Sequence, residues 1–248
     1  MLTDTEAIVL RQTKTSYGRK MILLFSKKYG KISAGTSIGE KGRSKSSLAL
    51  RPFTYGRYEL FKNRDSYNIN GADVIKSYYK IGEDVDKYMN GAYVLEFTEK
   101  ALVEEVPTIG VFELLKDFFD LLENRDKGIG TLVLAYQVKL FKYLGVMPQL
   151  DRCTVCGEKK EPAAFGIKEG GMICEDCLRN IQNSQTDSLI YDDRFGIVNI
   201  LRYFTVNPLK SIENIALKGD TGRMLQRLVR QYAEQHLDIS ELKSEKLI

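Results

Sequence analysis

The sequence predicts an α+β protein of two domains: a small N-terminal β-barrel of the OB-fold kind over residues 1–80, then an all-helical domain over residues 81–248 with a four-cysteine module inserted at 151–179. Three observations carry this expectation. Apolar residues alternate with strand period up to about residue 80, and beyond it they recur every three or four residues. The only four cysteines fall in two C-x-x-C pairs, Cys153/Cys156 and Cys174/Cys177, with 17 residues between the pairs.

In the N-terminal part, Ala7-Ile-Val-Leu10 opens a strand, Met21-Ile-Leu-Leu-Phe25 is a second, and Lys31-Ile-Ser-Ala34 follows the Lys28-Tyr-Gly30 turn as in a hairpin. A further strand spans 53–61, with Phe53, Tyr55, Arg57, Glu59 and Phe61 on one parity and Thr54, Gly56, Tyr58 and Leu60 on the other. Neither parity is cleanly apolar, which suits a closed barrel with an aromatic outer groove better than a one-sided sheet. The polar stretch Gly39-Glu-Lys-Gly-Arg-Ser-Lys-Ser-Ser47 reads as a cationic loop that wraps phosphate, with a plain solvated connection as the alternative.

From about residue 82 the helical period takes over. A helix is expected over 85–105 with Val85, Met89, Ala92 and Leu95 on one side. Val111, Leu114, Leu115, Phe118, Phe119 and Leu122 trace a second stripe, Tyr136, Leu140, Tyr143 and Leu144 a third that stops at Gly145 and Pro148, and Leu225, Leu228, Val229 and Tyr232 a fourth over 222–237. Stripes of this kind are core.

Each C-x-x-C places two thiolates on one ion from a tight turn, and Gly157 gives the first turn its backbone freedom. Two disulfides or a redox pair are the alternatives. Disulfides need an oxidising compartment, whereas a chain without an export signal is expected, and a redox motif does not call for a second matched pair. The expected cofactor is one structural zinc held by Cys153, Cys156, Cys174 and Cys177, with no position left for a substrate.

The formal charge of +4 conceals an asymmetry: residues 1–80 hold 16 Lys+Arg and 6 Asp+Glu, a net of +10, against 21 and 27 in residues 81–248, a net of −6. Such a division points to a polyanion, nucleic acid before anionic membrane, bound by the basic part. The candidate phosphate contacts are Lys14, Arg19, Lys20, Lys27, Lys28, Lys31, Lys41, Arg43, Lys45 and Arg51, with Tyr17, Tyr29 or Tyr55 as stacking platforms. The cysteine segment 151–179 has a net charge of −1, so its part is to staple the helical domain and not to read DNA.

Catalytic machinery is not legible. His236 is the only histidine and falls at the end of the last stripe, where a packed or helix-capping imidazole is expected. Gly39-Glu-Lys-Gly42 lacks the spacing of a nucleotide-binding P-loop, and Glu104-Glu105 and Asp192-Asp193 read as solvated surface. The acidic, polar start Met1-Leu-Thr-Asp-Thr-Glu6 and the lack of a long apolar run predict a soluble cytoplasmic protein.

The order of parts resembles the RecO family of bacterial recombination mediators: Ala7-Ile-Val-Leu10, the Leu24–Gly30 segment with Leu-Phe-Ser and Tyr-Gly, the Gly/Lys/Arg/Ser stretch followed by Leu50-Arg-Pro-Phe53, and the double C-x-x-C. The resemblance covers essentially the whole chain. It implies an OB-fold and a helical, often zinc-bearing domain, binding of single- and double-stranded DNA, and annealing of complementary strands. It also implies work with RecR, contact with the single-strand-binding protein, help in loading RecA onto coated single strands, a nucleoid-associated location and no covalent chemistry. The turn Tyr17-Gly-Arg-Lys20 departs from the acidic or polar pair common in the family and adds cations. A second class, an RNA-binding or ribosome-associated zinc protein, shares the basic barrel, and a zinc or redox enzyme is the third.

Overall fold

The computed structural model describes residues 1–15, 19–38, 45–64, 66–183, 189–212 and 214–247. Two compact units divide the chain, residues 1–124 with 242–248 and residues 125–241.

The first unit is built on five strands, β1 (Leu2–Lys14), β2 (Lys20–Ser26), β3 (Gly30–Thr36), β4 (Tyr55–Lys62) and β5 (Tyr67–Lys76), with a single helical turn α1 (Lys45–Leu48) between β3 and β4. They close in the order β1-β2-β3-β5-β4, the OB arrangement, with β3 and β5 parallel and the other pairs antiparallel. Closure depends on the length of β1. Its first half pairs with β4 from Leu2↔Phe61 to Ile8↔Tyr55, and its second half pairs with β2 from Ala7↔Ser26 to Lys14↔Lys20, with an irregularity at Val9/Arg11 where the strand bends. Val9, Ile22, Leu24, Ile32, Tyr58, Leu60 and Ile69 fill the interior, and Ala49 and Leu50 join them from the segment after α1. The Tyr58 hydroxyl donates to the Ala49 carbonyl, which satisfies a buried phenol at the core.

Phe53 does not belong to a strand as the alternation suggested. Its φ is 71°, its N–H donates to Val9 O at 3.1 Å, and β4 begins two residues later. The chain turns there so that the Phe53 ring meets Phe119 and Tyr88 edge-on.

Two helices complete this unit, α2 (Val85–Ala101) and α3 (Ile109–Glu123). Asp84 caps α2 by accepting from Lys87 N at 3.0 Å. The expected face of α2 is met only in part: Leu95 is buried and Met89 and Ala92 are partly buried, but Val85 is 73% exposed, and the buried set is Gly91, Tyr93, Val94, Leu95, Phe97 and Thr98. The stripe of α3 is as expected, with Val111, Leu114, Leu115, Phe118, Phe119 and Leu122 all buried. Phe112, between them, lies against Phe25 of β2 and Tyr55 of β4. Compactness thus groups α2 and α3 with the barrel, whereas the change of sequence period falls before them. The link between these helices also patches the barrel: β5 reaches β3 only at Ala34–Thr36, and farther along β3 Glu105 N donates to Lys31 O at 3.0 Å. Gly30 makes that approach feasible, with φ at +68° and no space for a Cβ against the Val106 backbone. The C-terminal turn Lys243–Leu247 is tied to α2 by Glu96, whose carboxylate accepts from the N–H groups of Lys243 and Ser244.

The second unit is arranged around α4 (Ile129–Tyr143), of which Thr131 to Val138 are buried without a break. Tyr143, placed on its apolar stripe by periodicity, is 49% exposed because the helix is ending there. A three-stranded antiparallel sheet follows, β6 (Pro162–Gly166), β7 (Gly171–Cys174) and β8 (Ile190–Asp192), ordered β7-β6-β8, with α5 (Glu175–Asn183) after β7. Helices α6 (Ile197–Val206) and α7 (Gly219–Leu237) pack on α4. Leu225, Leu228, Val229 and Tyr232 of α7 are buried as the stripe predicted. His236 stacks on Tyr232 at 4.2 Å and its Nε2 lies 2.8 Å from Ile167 O, the packed imidazole expected. Arg125 is buried, its guanidinium donating to the carbonyls of Lys127, Gly128, Ile212 and Ile215. Among the described residues no helix is long and apolar enough to cross a membrane.

Candidate metal centre and nucleic-acid surface

The first cysteine pair sits in a knuckle closed by its own backbone. Gly157 N donates to Cys153 O, and Cys153 N to Glu158 O, both at 2.9 Å, with Gly157 at φ 76°. Thr154 N, bonded to Met172 O at 2.9 Å, fastens the knuckle alongside β7. The second pair arises differently from the first: Cys174 ends β7, and Cys177 lies in the first turn of α5. A strand running directly into a helix thus brings these two sulfurs to the knuckle. All four Sγ atoms lie within 4.8 Å of one another, and Cys156 and Cys174 are 3.9 Å apart. Tetrahedral Zn–S bonds of about 2.3 Å imply S···S separations of about 3.8 Å, so the set fits a thiophilic ion. None of the four cysteines is joined in a disulfide.

The electrostatics of the cluster fit the same reading. Burial pushes the Cys153 thiol up, yet N–H groups of Cys156, Cys174 and Val155 outweigh it and hold the thiol down at about 6. Cys177 is pushed the other way by burial and by its three sulfur neighbours. Four sulfurs this close cannot all ionise without a cation among them, which a dication supplies. Cys153, Cys174 and Cys177 are buried with Ala164, Ile173 and Leu178, so the site doubles as the core of the sheet module.

The ten candidate phosphate contacts separate into groups. Lys14, Arg19 and Lys20 gather where β1 passes into β2: Lys14 and Lys20 face each other across the strand pair, and Thr15 N bonds Arg19 O at 2.8 Å. Lys28 is exposed, donates to Thr3 Oγ1 at 3.1 Å and lies over the Tyr29 ring. Lys62 joins them over the Tyr29 and Tyr67 rings; sequence reading missed it because the end of β4 is remote from Lys28 in the chain. Arg51 is exposed near the α1 segment.

Two candidates are engaged elsewhere. Lys27 pairs with Glu113 of α3 at 3.0 Å, a hydrogen bond that raises its pKa, and Lys31 donates to the Glu99 carbonyl at 2.8 Å. Lys41 and Arg43 lie outside the described residues, as does Tyr17, and Lys45 is described only as the start of α1.

Of the stacking candidates, Tyr29 is half-buried and shares a 2.7 Å hydrogen bond with Thr3, which with nearby Lys28 and Lys62 lowers its pKa. Tyr55 is occupied: its hydroxyl donates to Glu6, Lys116 covers one face of the ring, and Phe112 meets it at 6.0 Å. The outward side of β2–β3 presents Met21 and Leu23, partly exposed, beside Ser33 and Gly35, while Phe25 of the same side is buried against Phe112. Where an aromatic groove was expected, the exposed part of these two strands is therefore aliphatic.

The charge asymmetry also changes meaning. Residues 81–124 hold 11 Asp+Glu and 3 Lys+Arg, a net of −8, and they belong to the barrel's own unit. Glu99 pairs with Arg11, Glu113 with Lys27, and Asp120 and Glu123 with Lys76. Residues 1–124 with 242–248 carry +3 together and residues 125–241 carry +1, so the acidity assigned to the whole helical domain is concentrated in α2, α3 and their flanks.

The chain matches the family described as Recombination protein O N terminal over residues 1–78, and that described as Recombination protein O C terminal over residues 82–246. It is 30% identical to the DNA repair protein RecO of Exiguobacterium sibiricum over 95% of this chain and 92% of that one. It is 29% identical to the RecO of Alkaliphilus metalliredigens over 96% of this chain and 95% of the relative.

Proposed function

Because the chain belongs to the RecO family of DNA repair proteins, we propose that it is a recombination mediator that binds single- and double-stranded DNA through its barrel, anneals complementary strands and performs no covalent step. In this reading it works with RecR, meets the single-strand-binding protein and helps to load RecA onto coated single strands. The four cysteines hold one structural zinc that organises the sheet module of residues 125–241.

One observation supports the DNA path most directly: Lys14 and Lys20 stand opposed at the mouth of the β1–β2 pair with Arg19 exposed beside them, next to the open outer side of β2–β3. Phosphates at the mouth and bases laid against Met21 and Leu23 divide positioning from apolar contact and read no sequence. The test is binding of a single-stranded DNA oligomer across a salt series. Replacing Lys14, Arg19 and Lys20 with Ala should flatten the log–log slope by about 2, at about 0.7 per lost phosphate contact. A slope equal to that of the unmodified chain would move the path to the Lys28–Lys62 side, and preference for a matched RNA oligomer would favour the RNA-binding alternative.

A further inference from the structure

We infer that the exposed face of α7 is a second phosphate-binding surface, formed by Arg223, Arg227 and Arg230, which takes the backbone of a second nucleic-acid strand. The inference rests on the DNA-binding reading of the barrel and adds a site in the other compact unit.

Helix α7 buries Leu225, Leu228, Val229 and Tyr232, and this fixes which side faces solvent. Arg223, Arg227 and Arg230, spaced by four and three residues, fall together on that side, and all three are exposed. At 1.5 Å per residue the row is about 10 Å long. That is about three steps of a duplex strand, whose phosphates advance about 3.4 Å each along the axis. The guanidinium fork suits phosphate oxygens better than a lysine would.

The neighbours of the row leave it usable. Asp220 pairs with Arg223 at 2.5 Å, but both side chains are 75% exposed, and an exposed pair is weak enough to exchange for phosphate. Arg227 makes no ion pair among the described residues and stands near the Tyr191 phenol of β8. Arg230 is exposed but has an interaction of its own, and Glu234, exposed one turn beyond it, limits the row at that end.

Backbone recognition fits the face better than peptide recognition. The exposed residue beside the arginines is Gln226, and no apolar side chain interrupts the row. An acidic peptide is held by apolar anchors as well as charge, whereas a phosphate run needs only repeated cations. The surrounding unit is almost neutral, with 16 Lys+Arg and 15 Asp+Glu in residues 125–241, so the row is a local feature and not the edge of a general field. Annealing needs two polyanions held at once. The barrel offers one cationic surface and α7 offers another.

The test uses the full chain with Arg223, Arg227 and Arg230 replaced by Gln, and Arg227→Glu alone as the second variant because that residue makes no ion pair among the described residues. Binding of a first labelled single strand, capture of a second labelled strand by the saturated complex, and annealing of complementary strands are measured together. The expected result is first-strand affinity within about threefold of the unmodified chain, with second-strand capture and annealing rate each down about tenfold or more, as for loss of two to three phosphate contacts. Lysine at the three positions should restore most of both. Capture and annealing unchanged in either variant, with first-strand binding intact, would overturn the second site while leaving the barrel reading in place. An unmodified chain that binds no DNA would overturn both. Loss of binding to a poly-glutamate peptide, with DNA capture intact, would assign the row to an acidic protein instead.

Discussion

The Lys27 ammonium lies 3.0 Å from the Glu113 carboxylate and 5.9 Å from the centre of the Phe112 ring, so one of the barrel's cations is spent on holding α3. Burial pushes the Glu113 carboxyl up, but hydrogen bonds from Lys116 and Lys27 outweigh it and hold it below the ordinary value. Its contribution to stability is therefore present above the unfolded glutamate pKa of about 4.3 and is lost as pH falls through the lower folded value. Glu113→Gln should cost at most about 1 kcal/mol, because the pair is partly exposed. It should also steepen the salt dependence of DNA binding by about 0.7 as Lys27 becomes available. An unchanged slope would place Lys27 off the DNA path.

Replacing Lys41, Arg43 and Lys45 with Ala should flatten the same slope by about 2 and weaken annealing in parallel, with sequence preference unchanged. Thermal unfolding should be unaffected, since these polar positions supply no large core side chain. A folded variant with the original slope and annealing rate would make this segment an ordinary solvated connection.

Gly30→Ala should destabilise the first unit by about 2 kcal/mol or more, because it strains a left-handed backbone and forces Val106 away from β3. Urea denaturation reads this directly. A loss below about 0.5 kcal/mol would mean that the Val106 link yields freely, and that the patch over the open part of β3 contributes little.

Elemental analysis of the purified protein should find about one zinc per chain. Chelation or Cys174→Ser should unfold the β6–β8 module and its surroundings before the barrel, because metal binding and local folding are coupled. Domain-resolved hydrogen exchange follows the order of loss. A Cys174→Ser protein of normal stability that no longer binds DNA would contradict a structural role.

High pH should destabilise the fold through its tyrosines. Burial pushes Tyr55 and Tyr232 up to about 12 and raises Tyr58 and Tyr78 as well. Above the ordinary phenol value of about 10, the unfolded chain has lost protons that the folded one keeps, so the unfolding free energy falls as pH rises. The loss should run from pH 10 to about 12 for Tyr55 and Tyr232. Phenolate absorbance should show these side chains ionising only as the protein unfolds. Ionisation of all tyrosines near pH 10 in a folded sample would contradict their burial.

By itself the sequence determined what depends on local spacing. The apolar run Met21–Phe25 and the hairpin segment Lys31–Ala34 became β2 and β3, the stripe from Val111 to Leu122 became the buried face of α3, and two C-x-x-C pairs converged into one cluster, because strand, helix and knuckle geometry are set within a few residues. Tertiary structure decided what depends on distant partners. Val85 looked apolar enough for a core and was left in solvent, while Tyr93 and Phe97 turned inward, because the packing neighbours of α2 and not its own pattern chose the face. Lys27 and Lys28 are adjacent in the chain, yet one is paired with Glu113 and the other lies exposed over Tyr29, joined there by Lys62 from the end of β4. The +10 of the first 80 residues could be counted from composition, but which of those charges remain for DNA depends on where the acids of α2 and α3 come to lie, and Coulomb interactions act on distance in space and not on separation along the chain.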